Sequence, residues 1–280
     1  MVATRNEQDE IMARDDNRRS SNRSGGGPGS AGRPDRRRSN EDRSSEQRLY
    51  DGPELPEDVV AGDLDKMVLR GLSSLPDRLA DRVARHLVMA GRLIDDDPEV
   101  AYQHALAARA RATRVAVVRE AVGETAYAAG KYAEALSELR AAKRLNGVWE
   151  YLPIMADCER ALKRPERAIT LDTEQARAKL SVDGQVELSI VVAGARRDLG
   201  QAEAAVRLLE SESLLTKSRA DWVARLRYAY ADALLAAGRS EDALEWFHRT
   251  VAVDGNTATD ATERIRELEP NTGAEPAEDA

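Results

Sequence analysis

Two stretches of this chain repeat one pattern of small, apolar and polar positions. Residues 127–147 read YAAGKYAEALSELRAAKRLNG, and residues 235–255 read LAAGRSEDALEWFHRTVAVDG. Each has Ala-Ala-Gly, a basic residue, three varied residues and Ala-Leu, and the copies stand 108 residues apart. Weaker echoes fill the gap. Gly130 precedes Ala135 by five residues, and the pairs Gly200–Ala205 and Gly238–Ala243 keep that interval. Lys163–Ala168 and Asp96–Ala101 keep it without the glycine. The anchor alanines Ala101, Ala135, Ala168, Ala205 and Ala243 are thus 34, 33, 37 and 38 residues apart.

The pattern predicts helical hairpins. A glycine ends a helix by taking the left-handed conformation at little cost. After a short turn a second helix crosses the first, and a small alanine at the crossing lets the backbones approach. Ala135, Leu136 and Leu139 recur at helical spacing, as do Ala243, Leu244 and Phe247. Neither helix of a pair buries its apolar face alone, so each hairpin needs the next. The chain ends fit this arrangement. Residues 62–79 place Leu64, Val68, Leu69 and Leu72 on one face, which predicts an amino-terminal helix on the first hairpin. Near the other end, Asp260 followed by Glu263 has capping-box spacing. Ala261, Ile265 and Leu268 then form a narrow stripe on a polar capping helix that Pro270 stops.

A period near 34 residues resembles that of the tetratricopeptide repeat family. The family places a small residue twelve positions before the anchor, and this chain has Met89, Gly123, Ala156, Ala193 and Ala231 there. Leu139, Leu209 and Phe247 match its preferred bulky position in the second helix. The closing proline is absent, with Gly147 and Gly255 near its place. The resemblance covers roughly residues 80–257, and the chain is also similar to a set of actinobacterial tetratricopeptide-like proteins, which imply a fold and no mechanism. It implies an all-α, right-handed α-α superhelix, a solenoid of about five hairpins flanked by capping helices. The expected organisation is a disordered head at 1–50, a linker at 51–61, the solenoid at 62–269 and a disordered acidic tail at 270–280.

Composition agrees with packed helices. The chain is 42% hydrophobic and only 4% aromatic, so its core rests on Leu, Val, Ile and Ala. The single cysteine, Cys158, excludes an intramolecular disulfide framework and fits a reducing cytoplasm. The amino terminus lacks the apolar run of a secretory signal, and the longest nearly apolar run, LSIVVAGA at 188–195, is far short of the ~20 residues of a membrane helix. Residues 1–50 hold 11 Arg against 9 Asp plus Glu and few large apolar groups, the signature of disorder.

The chemistry-bearing motifs are weak. GPGSAGRP at 27–34 has Arg33-Pro34 where a phosphate loop needs Lys and Ser or Thr. His86, His104 and His248 are scattered and make no ligand pair, and DDDP at 95–98 reads as helix capping. Cys158 reads as a packing thiol. The expectation is a protein that is not an enzyme and carries no cofactor or metal.

The resemblance implies a concave groove lined by the first helix of each hairpin. It assigns Glu120, Glu124 and Tyr127 to the groove, then Asp157 and Arg160, then Glu187 and Arg197, then Arg225, Tyr228 and Asp232. A partner protein would bind there, tyrosines giving amphipathic contact and charges giving selection. The Lys/Asn pair of a carboxyl-terminus clamp is missing from these positions. Acids outnumber arginines among them, so the expected partner is basic. The alternative is an RNA-associated factor using the Arg-rich arm in residues 1–50, although interleaved acids weaken its net attraction.

Overall fold

A computed structural model of the chain describes residues 51–269, and among these every regular element is helical. A 3₁₀ turn, Ala61–Asp63, precedes α1 (Lys66–Gly71). Five hairpins follow. They pair α2 (Asp77–Leu93) with α3 (Pro98–Arg111), and α4 (Ala116–Ala128) with α5 (Tyr132–Asn146). Next, α6 (Leu152–Ala161) pairs with α7 (Pro165–Thr170), and a one-turn α8 (Glu174–Arg177) leads on. Then α9 (Val182–Asp198) pairs with α10 (Ala202–Glu210), α11 (Asp221–Ala236) with α12 (Ser240–Val251), and α13 (Ala261–Leu268) closes the series. The head at 1–50, its Arg-rich arm and the tail at 270–280 lie outside the described residues.

In four of the five hairpins the turn is set by the residue five before the anchor. Gly130, Gly200 and Gly238 take φ of 70°, 73° and 79°. In each case the next residue donates its N–H to a carbonyl five residues back, Lys131 to Ala126, Gln201 to Arg196 and Arg239 to Leu234, at 2.7–2.9 Å. This is the six-to-one bond of a Schellman cap. Lys163 adopts the same geometry without being glycine, at φ 60°, and Arg164 bonds Glu159 at 2.9 Å. The first hairpin differs. There Asp97 caps α3, its carboxylate accepting from Val100 N at 3.1 Å, and Pro98 occupies the first turn.

All five anchor alanines are fully buried. Gly123 shows how close the crossings are, because a Cβ there would lie 2.5 Å from the Leu139 side chain. Ala156, Ala193 and Ala231 are buried at the matching position, while Met89 is half-buried. The main packing contacts join each helix to near neighbours in sequence, and they also join first helices to each other, α2 with α4, α6 with α9 and α9 with α11. We expect Ala135→Leu or Ala243→Leu to overpack a crossing at a cost of about 1–3 kcal/mol. Urea midpoints that do not move would show that these alanines are not at the closest approach.

Three local expectations are corrected. Residues 62–79 do not form one helix. The chain breaks after α1, and α2 begins only past Pro76, whose ring cannot continue a helix from the preceding turn. The capping box at Asp260 does not form, and Asp254 instead accepts from Ala258 N at 2.8 Å and Thr259 N at 2.9 Å. The stretch expected to be a linker, 51–61, is tied to α2. Arg85 donates to the carbonyls of Val59 (2.7 Å) and Pro56 (3.0 Å), Arg92 pairs with Asp58 and Asp63, and Val59 is buried.

Candidate functional site

The first helices of the hairpins present their partly exposed stripes along one series of neighbouring elements. On α4, Glu120, Glu124 and Tyr127 follow at steps of four and three. On α6, Asp157 and Arg160 are three apart. On α9, Glu187, Ile190, Gly194 and Arg197 share a face, and on α11 so do Arg225, Tyr228, Ala229 and Asp232.

The structure links most of these residues. The Tyr127 hydroxyl donates to Asp157 at 2.7 Å, and Arg160 donates to the other Asp157 oxygen at 3.0 Å. Arg160 continues to Asp198 through Nε at 2.9 Å. Arg225 donates to Glu187 at 2.9 Å across α9 and α11. Asp232 bridges Arg197 at 2.6 Å and Arg264 of α13 at 3.2 Å. Glu120 accepts from Asn146 at 2.6 Å. Burial, reinforced by Asp157, pushes the Tyr127 hydroxyl upward, and burial with the acceptor Asp260 does the same for Tyr228. Both phenols therefore stay neutral hydrogen-bonding groups at any physiological pH.

Arg160, Ile190, Arg197, Arg225, Tyr228 and Asp232 line a cleft of about 470 Å³ that also touches residues 258–260. Its floor is made by small residues. A Cβ on Gly194 would lie 2.6 Å from the Arg160 guanidinium carbon, so a larger residue there would displace that side chain. Glu120 and Glu124 are not in this cleft. They line a separate pocket near α1. Burial, with Glu120 adding to it, pushes the Glu124 carboxyl up to about 7.

The spacing argument therefore placed ten residues on one series of helices, and the structure divides nine of them between two pockets and the Tyr127–Asp157 link, while Glu187 lies outside both pockets and joins the series through Arg225. It missed Asp198 and Arg264, which complete the ion-pair chain. Asp198 was readable, because it continues the Glu187 and Gly194 face of α9 at helical spacing. Arg264 was not, because it sits on a helix whose stripe indicated only capping. The excess of acids over arginines at the assigned positions is not spread evenly. Each of Asp157, Glu187, Asp198 and Asp232 has an arginine partner, so among the assigned positions the acids without one are Glu120 and Glu124 on α4.

Other chemistry is limited. Burial pushes the Cys158 thiol up to about 12, so it is no nucleophile. His86 and His104 do come together, with Nδ1 atoms 3.0 Å apart in the core of the first hairpin. No group of three or more potential ligands could hold a metal among the described residues, and no helix there is long and apolar enough to cross a membrane. No protein-family model matches this chain, and no curated protein matches it.

Proposed function

We propose that this protein is a non-enzymatic, tetratricopeptide-like scaffold of the cytoplasm. Its hairpins stack as a right-handed superhelix, and it binds a partner protein through the face built by the first helices. The observation that carries this reading is the cleft of about 470 Å³ between α9 and α11, where Ile190 and Tyr228 stand beside three arginines already held by acids. Ion pairs held in position before binding select a partner through their geometry and do not have to be ordered on contact. Tyr228 offers a rigid amphipathic surface backed by Phe247, their rings 5.4 Å apart and edge to face. The repeated turn and the buried alanine at each crossing support the stacking.

The test is affinity capture from the native lysate with the full-length chain and with a Tyr228→Ser, Arg225→Glu variant. Both side chains are partly exposed, so the variant keeps its helical circular-dichroism spectrum. A protein captured by the parent and lost by the variant supports the scaffold. Equal capture by both would move the binding surface elsewhere. RNA recovered instead, and lost on removing residues 1–50, would establish the nucleic-acid reading.

A further inference from the structure

The pocket beside α1 is unlike the large cleft. It encloses about 170 Å³ between the 3₁₀ turn, α1, α2 and α4. Its walls are aliphatic, formed by Leu64, Val68, Leu87, Ile94, Val117 and Ala121. Its polar edge holds Glu120, Glu124 and Tyr151, where α6 begins. The space is far above the ~10–15 Å³ that a single water requires. It is also below the ~300–1,000 Å³ of sites for drug-sized ligands. It suits one long side chain.

Charge decides which one. Glu120 is satisfied by Asn146, but no hydrogen bond or ion pair reaches Glu124 among the described residues. Asp157, Glu187, Asp198 and Asp232 each meet an arginine, whereas among the described residues no arginine pairs with Glu120 or Glu124. The charges acting on Glu124 and on the nearby Tyr151 hydroxyl are themselves carboxylates: Glu120 on Glu124, and both glutamates on Tyr151. Glu124 is half-buried, so an acid without a partner there gives up hydration that an incoming cation would make good.

We infer that this pocket receives a lysine side chain from the partner protein, its methylene stem along the aliphatic wall and its ammonium between Glu120 and Glu124. Lysine fits better than arginine. Its four-carbon stem covers apolar surface, and its compact ammonium carries three donors that can serve two carboxylates. This occupant rests on the scaffold reading, and its chemistry can be tested without any partner.

The full-length protein is titrated at pH 8 with n-butylammonium chloride, a lysine side-chain mimic, and separately with n-butanol. Binding is followed by NMR on the methyl groups of Leu64, Val68 and Val117. The amine is expected to bind about tenfold more tightly than the alcohol. Glu124→Gln should reduce the amine to the level of the alcohol. Lowering the pH to 5.5 should do the same, because Glu124 takes up its proton near 7. Glu187→Gln, on α9 and outside this pocket, should leave amine binding unchanged. Equal binding of amine and alcohol, or amine binding retained in Glu124→Gln, overturns the site. Amine selection together with undiminished partner capture by Glu124→Gln overturns the partner's lysine as its occupant. Failure of the scaffold reading appears separately, as loss of capture altogether while the amine still binds.

Discussion

Phe247→Ala is expected to cost about 3–5 kcal/mol, the range for truncating a fully buried aromatic side chain. Phe247 is the chain's only phenylalanine and is fully buried. It belongs to a core formed by α9 to α13 that includes Val206, Leu209, Leu226, Leu234 and Ile265. The Tyr228 ring meets it edge to face, and the Arg264 guanidinium lies 5.6 Å from its centre. The truncation therefore removes the packing surface that joins α11, α12 and α13. Because packing contacts run between near neighbours, the loss should remain local. Trp222 and Trp246 report on this core, and Trp149 reports on the core around α4 to α6. Urea unfolding should split into two transitions, with Trp222 and Trp246 moving first. Phe247→Leu, which preserves most of the volume, should cost less than about 1.5 kcal/mol and keep a single transition. Coincident transitions at all three tryptophans in Phe247→Ala would show that the helices unfold as one cooperative block.

The elements that could be read from sequence were those with a repeated steric demand. A left-handed turn and a close crossing each restrict a position to one or two residue types, so Gly130, Ala135, Gly238 and Ala243 betrayed the hairpins directly. Lys163 was recognisable only from its interval to Ala168, since the left-handed turn there is held by the backbone bonds around it. The strap at 51–60 left no signal. Its attachments run from Arg85 and Arg92 to carbonyls and acids about 26–34 residues away, and such contacts have no period. The same holds for the site. Helical spacing placed the residues on stripes, but which acid meets which arginine depends on the offset between adjacent first helices. That offset joins Arg160 to Asp198 and Arg225 to Glu187, each 38 residues apart.

The histidine pair leads to the second large effect, a loss of stability in acid. His86 and His104 lie on α2 and α3, 18 residues apart, and both are almost fully buried. Their Nδ1 atoms are 3.0 Å apart, so one ring must donate and the other accept, with both neutral. Burial, then His104 and Arg82, lowers the His86 pKa from 6.5 to about 4, with Asp51 opposing and Arg111 assisting. Burial lowers His104 as well. A histidine whose folded pKa lies below its unfolded value binds more protons when unfolded. Its contribution is therefore complete above pH 6.5 and is lost as the pH falls towards 4. For His86 alone the loss is about 3 kcal/mol, at roughly 1.4 kcal/mol per unit. Protonation of the accepting Nδ1 would also break the bond between them, and Gly52 of the strap lies against His86.

Glu124 runs the other way. Its folded pKa of about 7 stands above the unfolded value of 4.5, so it favours the folded state increasingly as the pH falls from 7 to 4.5. The two contributions oppose each other over overlapping windows, so in the parent protein each partly offsets the other. In a Glu124→Gln background the opposing contribution is gone, and unfolding free energy should fall steeply between pH 6.5 and 4.5. Adding His86→Phe and His104→Leu, which keep the site filled and remove both titrating rings, should flatten that fall. Glu124→Gln profiles that coincide with and without the histidines would mean that the pair already ionises normally in the folded protein, and that the acid sensitivity has another source.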